Sequence, residues 1–113
     1  MTLPISIRPE AEAEIERAHT WYEDRRPGLG QEFLLALDAV LLRAAETPDT
    51  FPLIARRTHR AVLRRFPYLV FFVVEQERLV VTALFHGHRD PEQWADRVRE
   101  HSRSLARSPV LVP

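Results

Sequence analysis

The chain contains no cysteine and no lysine, and only three glycines in 113 residues. Without cysteine there is no disulfide framework, no thiol nucleophile and no thiolate metal site. All sixteen basic residues are arginine. Arginine stays protonated and forks onto phosphate or carboxylate, but it is a poor general base. The few glycines build neither a phosphate-cradling loop nor a nucleophile elbow. The five histidines show no HExxH or comparable spacing, so neither a metal nor a cofactor is expected. The longest apolar runs, Leu69 to Val74 and Leu79 to Phe85, fall far below the ~20 residues that span a bilayer. The N-terminus lacks a basic start followed by an apolar run. The expectation is a cytoplasmic protein that does not enter a membrane.

What is present fits one small domain. Hydrophobic residues make up 45% and charged residues 28%, ordinary values for a globular core, and no repeat or low-complexity tract interrupts it. The domain is expected at residues 1–100 and a C-terminal tail at 101–113. The formal net charge of zero is unevenly spread. Up to Leu53 there are five arginines against ten acids, giving −5; beyond it there are eleven against six, giving +5. Arg56, Arg57, Arg60, Arg64 and Arg65 crowd into one stretch with His59. Such a run suits phosphate or an acidic partner, although a solvated strand face would carry one too.

Leu3, Ile5 and Ile7 alternate with Pro4, Ser6 and Arg8, the period of a short strand, and Pro4 points to a sheet edge. From Pro9 the period becomes helical: Ala11, Ile15, Ala18 and Tyr22 share one face, and early glutamates suit a helix N-terminus. Pro27-Gly28 breaks this helix. A second runs from Leu29 or Gly30 to Thr47-Pro48 with Phe33, Leu37, Val40, Leu41 and Ala44 as its apolar stripe. Three strands follow, Arg60 to Phe66, Tyr68 to Glu75 and Arg78 to His86, with Gln76-Glu77 as a hairpin tip that lacks the usual Asn-Gly signal. Asp90-Pro91-Glu92-Gln93 starts a short last helix, with an acceptor side chain at N-cap and proline at N1. The predicted order is β-α-α-β-β-β plus that helix, an α+β fold with a helical hairpin packed on a small, mostly antiparallel sheet.

Five stretches resemble the RelE/ParE toxins in order and spacing. They are Trp21-Tyr22-Glu23, Pro27-Gly28-Leu29-Gly30, Phe33-Leu34-Leu35-Ala36-Leu37, Arg64-Arg65-Phe66-Pro67-Tyr68 and His86-Gly87-His88-Arg89-Asp90-Pro91. The resemblance implies a two-layer fold, growth arrest by a toxin–antitoxin pair, and neutralisation by a cognate antitoxin. ParE-like members of the family inhibit DNA gyrase, whereas RelE-like members cut messenger RNA on the ribosome.

Cutting RNA with its own 2′-hydroxyl needs a base, a cation for the crowded phosphate and an acid for the leaving oxygen. His86 and Arg89 are the catalytic candidates if the chain is a ribonuclease, with His88, Tyr68 and one of Arg64 or Arg65 in support. Arg56, Arg57, Arg60, Arg64 and Arg65 are the candidates for contact with target or antitoxin. RelE-like ribonucleases resemble one another in carrying catalytic lysines and usually a tyrosine near the C-terminus. Here lysine is absent and no tyrosine follows Tyr68. These departures favour a ParE-like toxin that binds gyrase, with a ribosome-dependent ribonuclease or a degenerate toxin that only binds its antitoxin as alternatives; binding and catalysis both stay open as modes of action.

Overall fold

The computed structural model describes residues 2–87. Strand β1 (Ile5–Ile7) leads into helix α1 (Pro9–Arg25), helix α2 (Leu29–Glu46), a single 3-10 turn at Pro48–Thr50, and strands β2 (Leu53–Ala55), β3 (Thr58–Val62), β4 (Tyr68–Glu75) and β5 (Arg78–His86). The five strands form one sheet in the order β1-β5-β4-β3-β2. Only β1 runs parallel to its neighbour, β5; the other pairs are antiparallel. This is the expected α+β layout with one strand more. The last helix expected from Asp90 lies outside the described residues.

Both helices lay their apolar stripes on one sheet face. Ala11, Ile15, Ala18 and Tyr22 of α1 and Phe33, Leu37, Val40, Leu41 and Ala44 of α2 are buried there, against Val70, Phe72, Leu79, Val81 and Leu84. These helix positions carry the period of about 3.6 residues that puts side chains on a single face. Tyr22 anchors the end of the layer. Its ring lies 5.5 Å from Phe33, 4.9 Å from Phe66 and 6.1 Å from Tyr68. A smaller cluster on the opposite sheet face holds Phe71 and Ala83, with Ile54, Ala55, Leu69 and Phe85 against it. Burial on both faces explains the unbroken apolar run in β4.

The two helices are joined by a carboxylate rather than by a side-chain cap on α2 itself. Gly28 occupies the N-cap of α2 at φ 89°, and no N-cap side chain bonds there. Glu23, near the end of α1, accepts the Gly28 N–H at 2.9 Å and the Gly30 N–H at 3.0 Å. Those N–H groups have no partner within the helix, so a carboxylate placed there satisfies them and meets the positive end of the helix dipole. The Gly28 hydrogen bond, reinforced by that of Gly30 and by His19 and Arg26 nearby, holds the Glu23 carboxyl below the usual range.

Strand boundaries in the basic region differ from the expected ones. The strand read from Arg60 to Phe66 covers Thr58–Val62 instead. The chain then turns through Arg64 and Arg65, with Arg65 at φ 71°, the Leu63 N–H on the Tyr68 carbonyl at 3.1 Å and the Tyr68 N–H on the Phe66 carbonyl at 2.8 Å. Pro67 cannot donate to a ladder, and this local network supplies the turn in its place. A further strand, β2, pairs antiparallel with β3. At the other hairpin Gln76 and Glu77 both take positive φ, 52° and 58°, the left-handed pair of a type I′ turn.

Candidate functional site

The strands β4 and β5 are offset at one point: Phe71 faces Ala83 but Phe72 faces Val81, leaving Thr82 as a bulge. Its hydroxyl donates to the Phe71 carbonyl at 3.3 Å. Because of that extra residue Val81 and Leu84 both turn towards the helices. Beyond Val81 the β1 strand no longer accompanies β5. Glu14 of α1 fills this interval: its Oε1 accepts the Leu84 N–H at 3.0 Å, and the side chain is 9% exposed. Early glutamates on α1 were expected only as a charged N-terminal turn. Glu14 is instead built into the core side of the helix, which its spacing allowed, being three residues after Ala11 and four before Ala18.

His86 ends β5 directly opposite Tyr68 at the start of β4. The two rings meet edge-on with centroids 5.3 Å apart. Both line a cavity of about 740 Å³ between α1 and the ends of these strands. Glu14, Glu16 and Asp24 contribute three carboxylates to its described lining, against one arginine, Arg17. Trp21 lies at the rim, 39% exposed, with the Arg25 guanidinium 3.9 Å from its ring centre. Tyr22 is thus a packing residue, whereas its neighbour Trp21 presents a ring to the cavity. The acid-rich wall suits a cation better than a phosphate.

The five arginines do not gather into one patch. Arg56 and Arg57 sit in the β2–β3 turn, and the Arg57 guanidinium donates to the Val74 carbonyl at 3.1 Å. Arg60 lies within β3, half-buried, paired in register with Phe71 and with its Nε buried and without a hydrogen-bond partner. Arg64 and Arg65 occupy the turn at the other end of β3 and line a second groove, of about 460 Å³, against α2. Arg65 pairs with Glu32 at 2.8 Å, and Arg26 reaches the same carboxylate at 3.4 Å. The Arg65 hydrogen bond, followed by the Arg26 charge, lowers the Glu32 pKa below its ordinary value. His59, inside the same stretch, belongs to the core: its ring stacks on Phe72 at 4.9 Å and its Nδ1 lies 2.9 Å from the Phe51 carbonyl, which makes Nδ1 the protonated nitrogen.

His86 and Tyr68 therefore come together, while Arg64 and Arg65 line a different groove. His88 and Arg89 lie outside the described residues. Among the described residues no group of three or more histidines and acids is arranged to hold a metal ion. None of their helices is long and apolar enough to cross a membrane.

Comparison with known proteins bears on the family and the fold. Residues 5–91 match the family model described as the ParE toxin of the type II toxin–antitoxin system parDE. The chain is 26% identical over 92 residues to toxin ParE2 of Mycobacterium tuberculosis, covering 80% of this chain and 88% of that one. In structure it is similar to a chromosomal ParDE toxin–antitoxin system from P. aeruginosa, with a TM-score of 0.66, 11% identity, and coverage of 75% of this chain and 96% of that one. It is also similar to an arginine-to-alanine double mutant of the E. coli toxin RelE in the free state, at a TM-score of 0.60 and 14% identity, covering 88% of this chain and 98% of that one.

Proposed function

The chain belongs to the ParE toxin family of type II toxin–antitoxin systems, and from that membership we propose that it arrests growth by binding DNA gyrase, without a hydrolytic step, and is held inactive by a cognate antitoxin. One observation carries the choice of binding over RNA cleavage. His86, the nearest thing to a general base among the described sequence candidates, faces a cavity with three carboxylates and one arginine in its described lining, while Arg64 and Arg65 line another groove. A crowded phosphate in cleavage needs cations around it at the point where the base acts. An acid-lined cavity raises the energy of that dianionic arrangement instead.

Expression in bacteria without the antitoxin tests the reading. It predicts filamentation and induction of the DNA-damage response with intact transcripts. Rapid cleavage of translated messenger RNA with normal supercoiling would favour the ribosome-dependent ribonuclease, and unimpeded growth at high levels of folded protein would favour a degenerate toxin.

A further inference from the structure

The cavity beside α1 carries excess negative charge. Glu14, Glu16 and Asp24 face it against Arg17, so its described lining holds three negative charges and one positive, net −2. Glu14 is the buried one, 9% exposed, and its Oε1 accepts the Leu84 N–H. A neutral N–H offsets part of the cost of burying a carboxylate, and a guanidinium that forks onto it offsets more. The lining is also engaged: Glu14, Trp21, Tyr68, Phe85 and His86 each hold a further polar, ionic or ring partner.

The chain leaves β5 at this cavity. His86 lines it, and the Gly87 N–H donates to the Pro67 carbonyl at 2.8 Å, which fixes the exit next to Tyr68. Glu14 is bonded to Leu84, three residues before Gly87, or about 10 Å of extended strand. Arg89, outside the described residues, follows Gly87 by two positions. Two residues span at most about 7 Å, and the long stem of an arginine adds its own reach. His88 comes sooner, but an imidazole is mostly neutral at pH 7. The next arginine, Arg97, is eight residues further on.

We propose that this cavity takes the chain's own Arg89, its guanidinium paired with the Glu14 carboxylate between α1 and the end of β5. A guanidinium held by carboxylates presents no free fork to a phosphate. Arg89 then drops out of the cations that RNA cleavage would need, and tethers the C-terminal segment to α1 instead. The pairing does not depend on gyrase being the target.

The arginine Nε–H signals of the isotope-labelled full chain test the pairing, with Arg89 assigned by the signal that Arg89→Lys removes. That signal should exchange with water at least about tenfold more slowly than the signal of exposed Arg56. Glu14→Gln, which keeps an acceptor for the Leu84 N–H, should abolish the protection, and added inorganic phosphate should leave the signal unmoved. In urea denaturation, the losses in folding constant from Glu14→Gln and Arg89→Gln should fall short of multiplying by at least about fivefold in the double variant. Glu14→Gln with Arg97→Gln should multiply. An Arg89 signal that exchanges like Arg56, moves with phosphate or stays protected in Glu14→Gln would overturn the pairing, as would independent effects of Glu14→Gln and Arg89→Gln. The exchange measurement needs only Arg89→Lys and Glu14→Gln, so it decides the matter even where Arg89→Gln does not fold. Growth arrest is not the readout, and failure here leaves the toxin reading standing.

Discussion

Glu14 and Leu84 are separated by 70 positions in the chain and joined by one hydrogen bond: the Glu14 carboxylate accepts the Leu84 N–H at 3.0 Å where β1 has already left β5. The bond ties the first helix to the last strand and closes a gap in the sheet's edge. A buried N–H left without a partner costs about 1–3 kcal/mol. Glu14→Ala should lower unfolding free energy by that amount in urea denaturation. Glu14→Gln, which keeps a carbonyl acceptor, should cost less, and equal losses in the two variants would show that the bond to Leu84 is not what matters.

The Glu23 bridge makes a different prediction, because it sits where the Cβ of an alanine at position 30 would go. Such a Cβ would lie 2.8 Å from the His19 ring and 2.9 Å from the Glu23 carboxylate. The His19 ring can swing away, but moving the Glu23 carboxylate breaks its bonds to the Gly28 and Gly30 N–H groups, so Gly30→Ala should destabilise the chain although alanine favours a helix. In a background of His19→Ala with Glu23→Ala the obstruction is gone, and the same substitution should become neutral or stabilising by up to about 1 kcal/mol. Thermal unfolding of the four combinations reads the change of sign.

Acid should loosen the same end of the hairpin. Glu23 and Glu32 both have folded-state pKa values below the ordinary glutamate value. A depressed carboxyl binds fewer protons in the folded than in the unfolded chain, so its contribution is full above the unfolded value of about 4.3 and is lost as pH falls through the folded one. The melting temperature should fall across that window. Glu23→Gln with Glu32→Gln should flatten the fall and lower the melting temperature at neutral pH; an unaltered slope would remove these two groups as its source.

At the β4–β5 hairpin, Gln76 and Glu77 both hold left-handed backbone angles. The left-handed region costs a residue with a Cβ roughly 1–2 kcal/mol, a cost that glycine escapes and asparagine only partly offsets. Replacing the pair by Asn-Gly should raise stability by about 1–2 kcal/mol in urea denaturation without altering the register of Glu75 with Arg78. No gain would mean that the strain is relieved elsewhere.

This hairpin also shows how far the sequence could be read. Its position was legible because two long β-branched and aromatic runs flank Gln76-Glu77. The turn type was not, since neither residue favours it and the strands impose it. Both helices were legible from the spacing of Ala11 to Tyr22 and Phe33 to Ala44. The strand β2 was not: three residues with Leu53 exposed carry too little period, and pairing with β3 creates the strand. The sequence pattern puts Arg64 and Arg65 in a strand, but Pro67 and the Arg65–Glu32 pair draw them into a turn. Glu14 escaped notice as a site residue because its partner is a backbone N–H exposed by a bulge, which no local pattern announces.

Binding of gyrase without catalysis is the central claim, and the purified chain added to a gyrase supercoiling reaction tests it most directly. Inhibition is predicted, with His86→Ala inhibiting within about threefold of the parent, a change of under 1 kcal/mol that its edge-on contact with Tyr68 can absorb. Undiminished supercoiling, together with cleavage of ribosome-bound messenger RNA that His86→Ala abolishes, would contradict the account.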